Sequence, residues 1–338
     1  MIVYLLRRLF LLAFVFIALS ILAFSLGYLF PGNPLQNFSG LRYFTAEQTE
    51  ILTQYYRLND GYIQQYIAYL SRIFTGDWGL SLTSQQSLLA EIRSLMPATL
   101  ELTAYALLIS FVIGIPLGIV AAIKPEGILS RFISGLAVTG YSIPIFWWAL
   151  LLIMIFSLGL GWLPTAGRIG VLYEVNQTSG FMLLDILMSD TQYQAEAFLD
   201  AVRHLLLPTI VLATFPTTVM VRFTRDSMLE VWEQSYIKTA RAKGLNRAQV
   251  LYRHGLRNAL LPVIRQIGLQ FSTLITLAMI TEVIFSWPGI GRWLIDSIYQ
   301  RNYPAIQAGL LVISTTVISV NMLTEILHTL FNPLARKR

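Results

Sequence analysis

The sequence contains no cysteine, which excludes a disulfide framework, a thiol nucleophile and a thiolate metal site. Its three histidines, His204, His254 and His328, lie far apart with no metal-ligand spacing among them. Charge is the most informative shortage. Only 12% of the 338 residues are Asp, Glu, Lys or Arg and 55% are hydrophobic, against about 25% and about 45–50% in soluble domains. So few charges cannot cover a water-facing surface of ordinary size, so a soluble enzyme, a disordered chain and a nucleic-acid-binding domain are excluded. Catalytic signatures are missing as well. There is no G-x-x-x-x-G-K-[ST] loop to cradle ATP phosphates, and no H-E-x-x-H or G-x-S-x-G. Paired intramembrane aspartates, which would suit an intramembrane hydrolase, are also lacking.

Long charge-free runs are what the chain does have. Windows 9–41, 102–123, 132–167, 204–221, 266–281 and 302–324 carry no charged residue. A charge at the bilayer centre costs roughly 2.5–3.5 kcal/mol, so such windows locate membrane helices. About 20 apolar residues rising about 1.5 Å each cross about 30 Å of hydrocarbon. Helices are therefore expected near 9–30, 101–123, 135–160, 204–222, 264–286 and 305–330. Inside lipid every backbone polar group must pair within its own segment, which makes these runs helical. The expected fold is an all-α integral membrane protein with six transmembrane helices.

Arg7-Arg8-Leu9-Phe10-Leu11 resembles the core of a twin-arginine export signal, but the apolar stretch behind it runs to about 22 residues, against about 7–15 in a cleavable signal. It ends at Pro31-Gly32-Asn33-Pro34 without an Ala-x-Ala site, so an uncleaved first span is expected. Orientation follows from the cations. With the N-terminus inside, the inner segments hold 16 basic and four acidic residues, and the outer segments hold eight basic and 11 acidic ones. The positive-inside rule then places both termini in the cytoplasm. The chain divides into 1–30, a first span with its cytoplasmic end; 31–100, an outer loop region; and 101–338, a transmembrane domain that includes an inner loop at 223–263. Tyr55, Tyr56, Tyr62, Tyr66 and Tyr69 form an expected helical patch in the first outer loop, over the mouth of the membrane domain. No internal repeat is visible.

The inner loop is the most informative stretch. Asp226–Lys243 is rich in helix formers, is interrupted at Ser235, and ends in Ala240-Arg241-Ala242-Lys243-Gly244. Cations in a last turn followed by Gly signal a helix stop. Asn246-Arg247-Ala248-Gln249 resembles a capping box that would open a second helix. The expectation is two short helices broken at Gly244, lying beneath the membrane. Residue chemistry alone leaves two uses open: a protein-docking surface, or an anchor holding Arg241, Lys243, Arg247, Arg253 and Arg257 to anionic headgroups.

Tyr236-Ile237-Lys238-Thr239-Ala240-Arg241-Ala242-Lys243-Gly244-Leu245 resembles the cytoplasmic loop of peptide-type ABC-transporter permeases, the dipeptide, oligopeptide and nickel importer family. Against the general permease pattern E-A-A-x-x-x-G-x9-I-x-L-P, only Ala240, Gly244 and Leu256 match. Lys238, Thr239, His254 and Arg257 depart from it. The resemblance extends over Leu95-Met96-Pro97-Ala98-Thr99-Leu100-Glu101-Leu102, Gly114–Gly118, Ser142–Trp147 and Leu160–Pro164. Its most specific part is Phe285-Ser286-Trp287-Pro288-Gly289-Ile290-Gly291-Arg292. Leu172–Val175, Gln270–Thr273 and Asn332-Pro333-Leu334 look most like the Sap branch.

The resemblance implies a type I ABC importer permease fold with a cytoplasmic coupling helix between the fourth and fifth spans. The coupling residues it implies are Tyr236–Leu245 together with His254, Leu256 and Arg257. It further implies a related second permease, two ATPase subunits that bind the ATP and magnesium, a periplasmic binding protein, and a bacterial inner-membrane location. No cofactor and no metal would be held by this chain. Peptide is the implied cargo, with cationic antimicrobial peptide, haem and polyamine left open. An ATP-independent carrier or channel and a ligand-sensing scaffold are the competing readings.

Five further residues are candidates for a pathway or gate: Pro144, Glu282, Trp287, Asn321 and Glu325. Intramembrane acids are functional candidates by default. Glu101 and Glu282, near the outer ends of their windows, are expected to stay hydrated at an interface. Glu325 follows Asn321 by one helical turn and shares its face, which leaves a pathway lining and an interhelical hydrogen bond equally open. Pro144 is expected to bend the third span, and Trp287 to serve as an interfacial anchor or an external gate. Gly114-x-x-x-Gly118 around Pro116 is expected to let two helices approach closely.

Overall fold

A computed structural model describes residues 2–189 and 192–331. The first helix, α1, is Ile2–Leu29. The outer loop after it carries α2 (Pro34–Ser39), α3 (Ala46–Tyr55) and α4 (Tyr62–Thr75). Next come α5 (Leu88–Ile123), α6 (Ile128–Ser142) and α7 (Ile145–Leu152), the last running on in wider turns over Ile153–Gly159. A second outer loop carries α8 (Met182–Met188) and leads into α9 (Gln194–Glu233). The inner segment holds α10 (Ser235–Ala242), α11 (Arg247–Val250) and α12 (Leu256–Ala259). The chain continues through α13 (Leu261–Ile284), α14 (Ile290–Tyr299) and α15 (Tyr303–Phe331).

Among the described residues, Leu9–Leu29, α5, α9, Gln266–Ile284 and Tyr303–Leu327 are each long and apolar enough to cross a membrane. The pair α6 and Ile145–Gly159 makes a sixth span, bent by 103° at the Ile143-Pro144 junction. The expected third span is therefore two helices and not one continuous helix. Proline lacks the N–H that would continue the ladder and restricts the residue before it to extended backbone, and Ile143 sits at ψ 124.

Two helices outrun the bilayer. At about 1.5 Å per residue, the 40 residues of α9 reach about 60 Å and the 36 of α5 about 54 Å. These two pack along each other with no room for side chains at the crossing. A Cβ on Gly114 would stand 2.6 Å from Met220 Cβ, and one on Gly118 would stand 2.7 Å from both Thr224 Cβ and the Val221 carbonyl oxygen. The small-residue spacing around Pro116 is thus a packing device, as expected. The central core lies beside this crossing, where Leu102, Ala106, Leu212, Leu274, Ala278 and Trp287 are buried together.

The outer loop has its own aromatic core. Phe24 of α1 lies among Tyr28, Phe38, Tyr66 and Tyr69, with ring centroids 5.5–5.6 Å apart. Two of the five loop tyrosines, Tyr56 and Tyr69, are buried there. The Arg72 guanidinium sits 3.9 Å from the Tyr56 ring centroid, a cation–π contact. The tyrosine patch is helical in part, and it is joined to the first span instead of standing free above the mouth.

Candidate functional site: the folded segment between the fourth and fifth spans

The inner segment is a folded unit mounted on the end of α9. That helix stops at Glu233, where Gln234 turns to extended backbone at ψ 144, and α10 starts one residue later. Ile237 and Ala240, three residues apart, lie on one face of α10. They are buried against Val250, with Val231, Trp232 and Leu245 around them. The opposite face presents Tyr236, Lys238, Thr239, Arg241, Ala242 and Lys243 to solvent. The Arg241 guanidinium lies 5.0 Å from the Trp232 ring centroid, a cation–π contact made by an otherwise exposed side chain.

The stop at Gly244 follows from its backbone. Gly244 has φ +85, a left-handed conformation that disfavours L side chains. The Gly244 N–H donates to the Arg241 carbonyl at 3.0 Å, and the Leu245 N–H to the Ala240 carbonyl at 3.4 Å. Together these make a Schellman motif, closed by contact of Leu245 with the Ile237–Ala240 face. The expected capping box is present two residues on: Gln249 N–H donates to Asn246 Oδ1 at 2.8 Å, and Asn246 N–H to Gln249 Oε1 at 3.0 Å. The helix this opens continues through wider turns at Leu251–Gly255 into α12. Met228, Ala122 and Ala259 are fully or nearly fully buried beneath it, with Leu256 packed against them. Ser227 Oγ donates to the Ala259 carbonyl at 2.9 Å. Leu256 is thus a mounting residue like Ile237 and Ala240, whereas Arg257 is exposed and His254 half-buried.

At the far end of the same helices lies a buried polar brace that sequence reasoning missed. Glu101, 2% exposed, meets Arg168 at 2.5 Å. It also accepts the Met182 and Leu183 backbone N–H groups at 3.2 Å each, capping α8. Arg168 donates in turn to the Gly180 carbonyl at 3.0 Å and lies 5.5 Å from the Trp287 ring centroid. Trp287 is 1% exposed and donates its indole N–H to the Ala98 carbonyl at 3.0 Å. Glu282 is fully buried and accepts from Thr99 Oγ1 at 2.5 Å and from the Arg292 N–H at 2.9 Å. Thr99 Oγ1 itself accepts the Ile290 N–H at 2.9 Å.

The two glycines of the Trp-Pro-Gly-Ile-Gly signature follow from this geometry. A Cβ on Gly289 would fall 2.2 Å from the Glu282 carboxylate, and one on Gly291 would fall 2.8 Å from Met279 Cα. Glu101 and Glu282 are therefore not hydrated at an interface, and Trp287 is not an interfacial anchor. All three hold the outer loops onto α5 and α13.

Asp185 anchors the same outer loop. Burial alone would raise its pKa, but the Ser179 hydroxyl and the Ser179 and Gly180 N–H groups donate to its carboxylate. These bonds outweigh burial and hold it below the ordinary carboxylate value. Gly170 N–H donates to Asp200 Oδ2 at 2.5 Å, tying the loop to the outer end of α9.

The remaining pathway candidates are dispersed. Asn321 Nδ2 donates to Ser272 Oγ at 2.7 Å, an interhelical bond between α15 and α13. Glu325 is half-buried one turn further along α15. Pro144 is exposed at the break in the third span, beside exposed Tyr141, Ser142, Phe146 and Trp147. Among the described residues no group of three His, Asp or Glu side chains could hold a metal ion. The Asn332-Pro333-Leu334 ending and Arg336–Arg338 lie outside the described residues.

Comparison with known proteins places the whole arrangement. Residues 114–337 match the family model described as binding-protein-dependent transport system inner membrane component, and residues 1–103 match its N-terminal companion. The chain is 46% identical to the di/tripeptide transport system permease protein DppB of Pseudomonas aeruginosa, over 98% of this chain and 97% of that protein. It is 42% identical to the peptide transport system permease protein SapB of Salmonella typhimurium, over 100% and 98% of the two chains. A SapB of Escherichia coli named as a putrescine export permease is 41% identical over the same shares. Among solved structures, the MetNI methionine ABC transporter in inward-facing form superposes with a TM-score of 0.52 at 17% identity. That match covers 70% of this chain and 93% of that one, and it shows the fold alone. These matches over the whole six-span chain establish that it belongs to the binding-protein-dependent transport system inner membrane components, the permease subunits of ABC transporters.

Proposed function

We propose that the chain forms half of a peptide translocation path, worked from the cytoplasmic side by ATPase subunits that grip the exposed face of α10. The observation that carries this reading is mechanical. The solvent-facing residues Tyr236, Lys238, Thr239, Arg241 and Lys243 are backed by a small buried core, and that core is continuous with α9. Force applied at α10 therefore reaches a helix about 60 Å long whose outer end is tied to the loops through Asp200. A lipid anchor would need only exposed cations; it would not need a Schellman stop, a capping box and two clusters of buried contacts.

The path lies between this chain and a related second permease. The break at Pro144, with Tyr141 and Ser142 exposed beside it, supplies the part of the wall contributed by the third span, since backbone carbonyls freed by the break can face a cavity but not lipid. Asn321 and Glu325 on α15 supply a polar stripe nearer the inner side. A binding protein delivers peptide at the outer face, both termini are cytoplasmic, and the membrane is the bacterial inner membrane. Relatives named for di/tripeptide and peptide transport support a peptide cargo.

The test is reconstitution with the partner permease, the ATPases and the binding protein in proteoliposomes. Peptide uptake should require ATP and both ATPase subunits. Uptake at full rate without them would replace this mechanism with that of an ATP-independent carrier.

A further inference from the structure

Helix α4 carries apolar residues on its outward face as well as its inward one, which does not suit a loop helix standing in water. Ile63, Ile67 and Phe74 recur at steps of four and seven, so they share one face, with half-buried Leu70 at its edge turned to the aromatic core. That face points away from the protein, with Ile63 74%, Ile67 59% and Phe74 75% exposed. The opposite face is buried in the aromatic core through Tyr69, with Tyr66, Leu70 and Ile73 packed against it. It also carries Gln65, which is 4% exposed and donates to the Leu58 and Asp60 carbonyls, and Arg72, which packs over Tyr56. No charged residue stands exposed between Tyr62 and Thr75. Neighbouring α3 shows the ordinary arrangement, with Glu47, Gln48, Thr49 and Glu50 all exposed.

The position of α4 explains the outward apolar face. It runs antiparallel along the outer part of α1: Tyr62 meets Tyr28, Tyr66 bonds Ser20 Oγ at 2.7 Å, and the Phe74 ring lies 6.0 Å from Phe16. Phe16 and Ser20 both belong to the apolar Leu9–Leu29 span. Between the two helices runs a groove of about 590 Å³, lined by residues that include Ile21, Ser25, Leu29, Tyr62, Ile63 and Tyr66. The apolar face of α4 is therefore continuous with the lipid-facing wall of the first span, where Ile17, Ile21 and Leu22 are exposed.

We propose that α4 is embedded in the bilayer leaflet opposite the coupling helix, with its Ile63–Ile67–Phe74 face and the groove beside α1 in contact with phospholipid acyl chains. The favoured occupant is lipid and not a soluble partner, because the surface carries no exposed charge and merges with a membrane span without a polar boundary. Exposed apolar area of this kind is stable only when covered, and a helix lying along a membrane span is covered by acyl chains up to the headgroup–acyl boundary. Tyr62 and Tyr66 at its outer end suit that boundary, with apolar rings and polar hydroxyls. The proposal rests on the membrane-spanning fold and is independent of cargo and of ATPase coupling.

Because the chain is free of cysteine, single nitroxide labels can be placed cleanly in the full transporter in nanodiscs of phosphatidylethanolamine and phosphatidylglycerol. Ile63→Cys, Ile67→Cys and Phe74→Cys report on α4, and Glu47→Cys serves as the water-exposed control. Labels on α4 should collide several-fold more with oxygen than with a water-soluble nickel chelate, and the control should show the reverse ratio. Nickel accessibility at Ile67 equal to that at Glu47 would place the face in water and overturn the proposal. Protection from both reagents would overturn it in favour of a protein partner. All three substitutions lie on exposed side chains, and unchanged ATP-driven uptake by the labelled transporter would establish that each variant is folded.

Discussion

Replacing Gly244 tests the coupling module where the structure separates backbone strain from crowding. Nothing lies within 4 Å of a Cβ built at this position, so any cost of substitution comes from its φ of +85. An L side chain in left-handed backbone costs roughly 1–2 kcal/mol, Asn is tolerated better, and a β-branched residue is the worst case. The expected order of damage is Gly244→Asn, then Gly244→Ala at about 1 kcal/mol, then Gly244→Val at about 2 kcal/mol or more. Since about 1.4 kcal/mol is a factor of ten, the valine variant should hold α10 in its docking geometry at least tenfold less often. The Schellman bonds to Arg241 and Ala240 would be the first to open. The assay is peptide taken up per ATP hydrolysed in proteoliposomes, with hydrogen exchange at 236–245 as an independent readout. Valine should lower the transport-to-hydrolysis ratio most and asparagine least, with membrane insertion unchanged. A valine variant coupled as tightly as the parent would refute the reasoning, and so would an asparagine variant as damaged as valine.

Two predictions concern the outer brace and loop. Glu101→Gln strands the Arg168 guanidinium without its countercharge at a site where both side chains are nearly fully buried. Breaking such a pair costs about 3–5 kcal/mol, whereas replacing both partners with apolar residues is close to neutral. The unfolding temperature in detergent should therefore fall sharply for Glu101→Gln and recover in part for the double variant Glu101→Met with Arg168→Met. The double variant removes the stranded charge but leaves the Met182 and Leu183 N–H groups and the Gly180 carbonyl without these partners. A double variant no more stable than Glu101→Gln would contradict the brace. Asp185 is held below its ordinary pKa by donors from Ser179 and Gly180. Its contribution is then complete above the unfolded value of about 3.9 and is lost as pH falls through the lower folded value. Asp185→Asn should flatten that acid limb of the stability–pH curve, and an unchanged limb would remove Asp185 from the account.

The spans were legible because lipid penalises every charge, so the charge-free windows locate the helices that cross. Their outer ends were not legible. The helix that starts at Leu88 carries Glu91 and Arg93 in its first turns, which look like loop when hydropathy is the only guide. The third span showed its proline, but a proline does not by itself distinguish a gentle bend from a 103° turn. The inner segment was the most readable part, because its helix stop and capping box are local and need no distant partner. Glu101 and Glu282 misled for the opposite reason. A carboxylate at the end of an apolar window looks the same whether it reaches water or meets Arg168, 67 residues later. For Glu282 the signal was there in Gly289 and Gly291, whose missing side chains leave room for its carboxylate. The outward apolar face of α4 was hidden likewise, since only the placement of α1 shows which side of that helix is covered.

The claim that the permease is worked through the exposed face of α10 is tested most directly by photocrosslinking. Thr239→Cys, carrying a benzophenone maleimide as the only thiol-linked label on the chain, should crosslink to an ATPase subunit in the assembled transporter, with yield that changes between nucleotide-free and ATP-bound states. A label that reacts only with phospholipid, or equally in all nucleotide states, would contradict it.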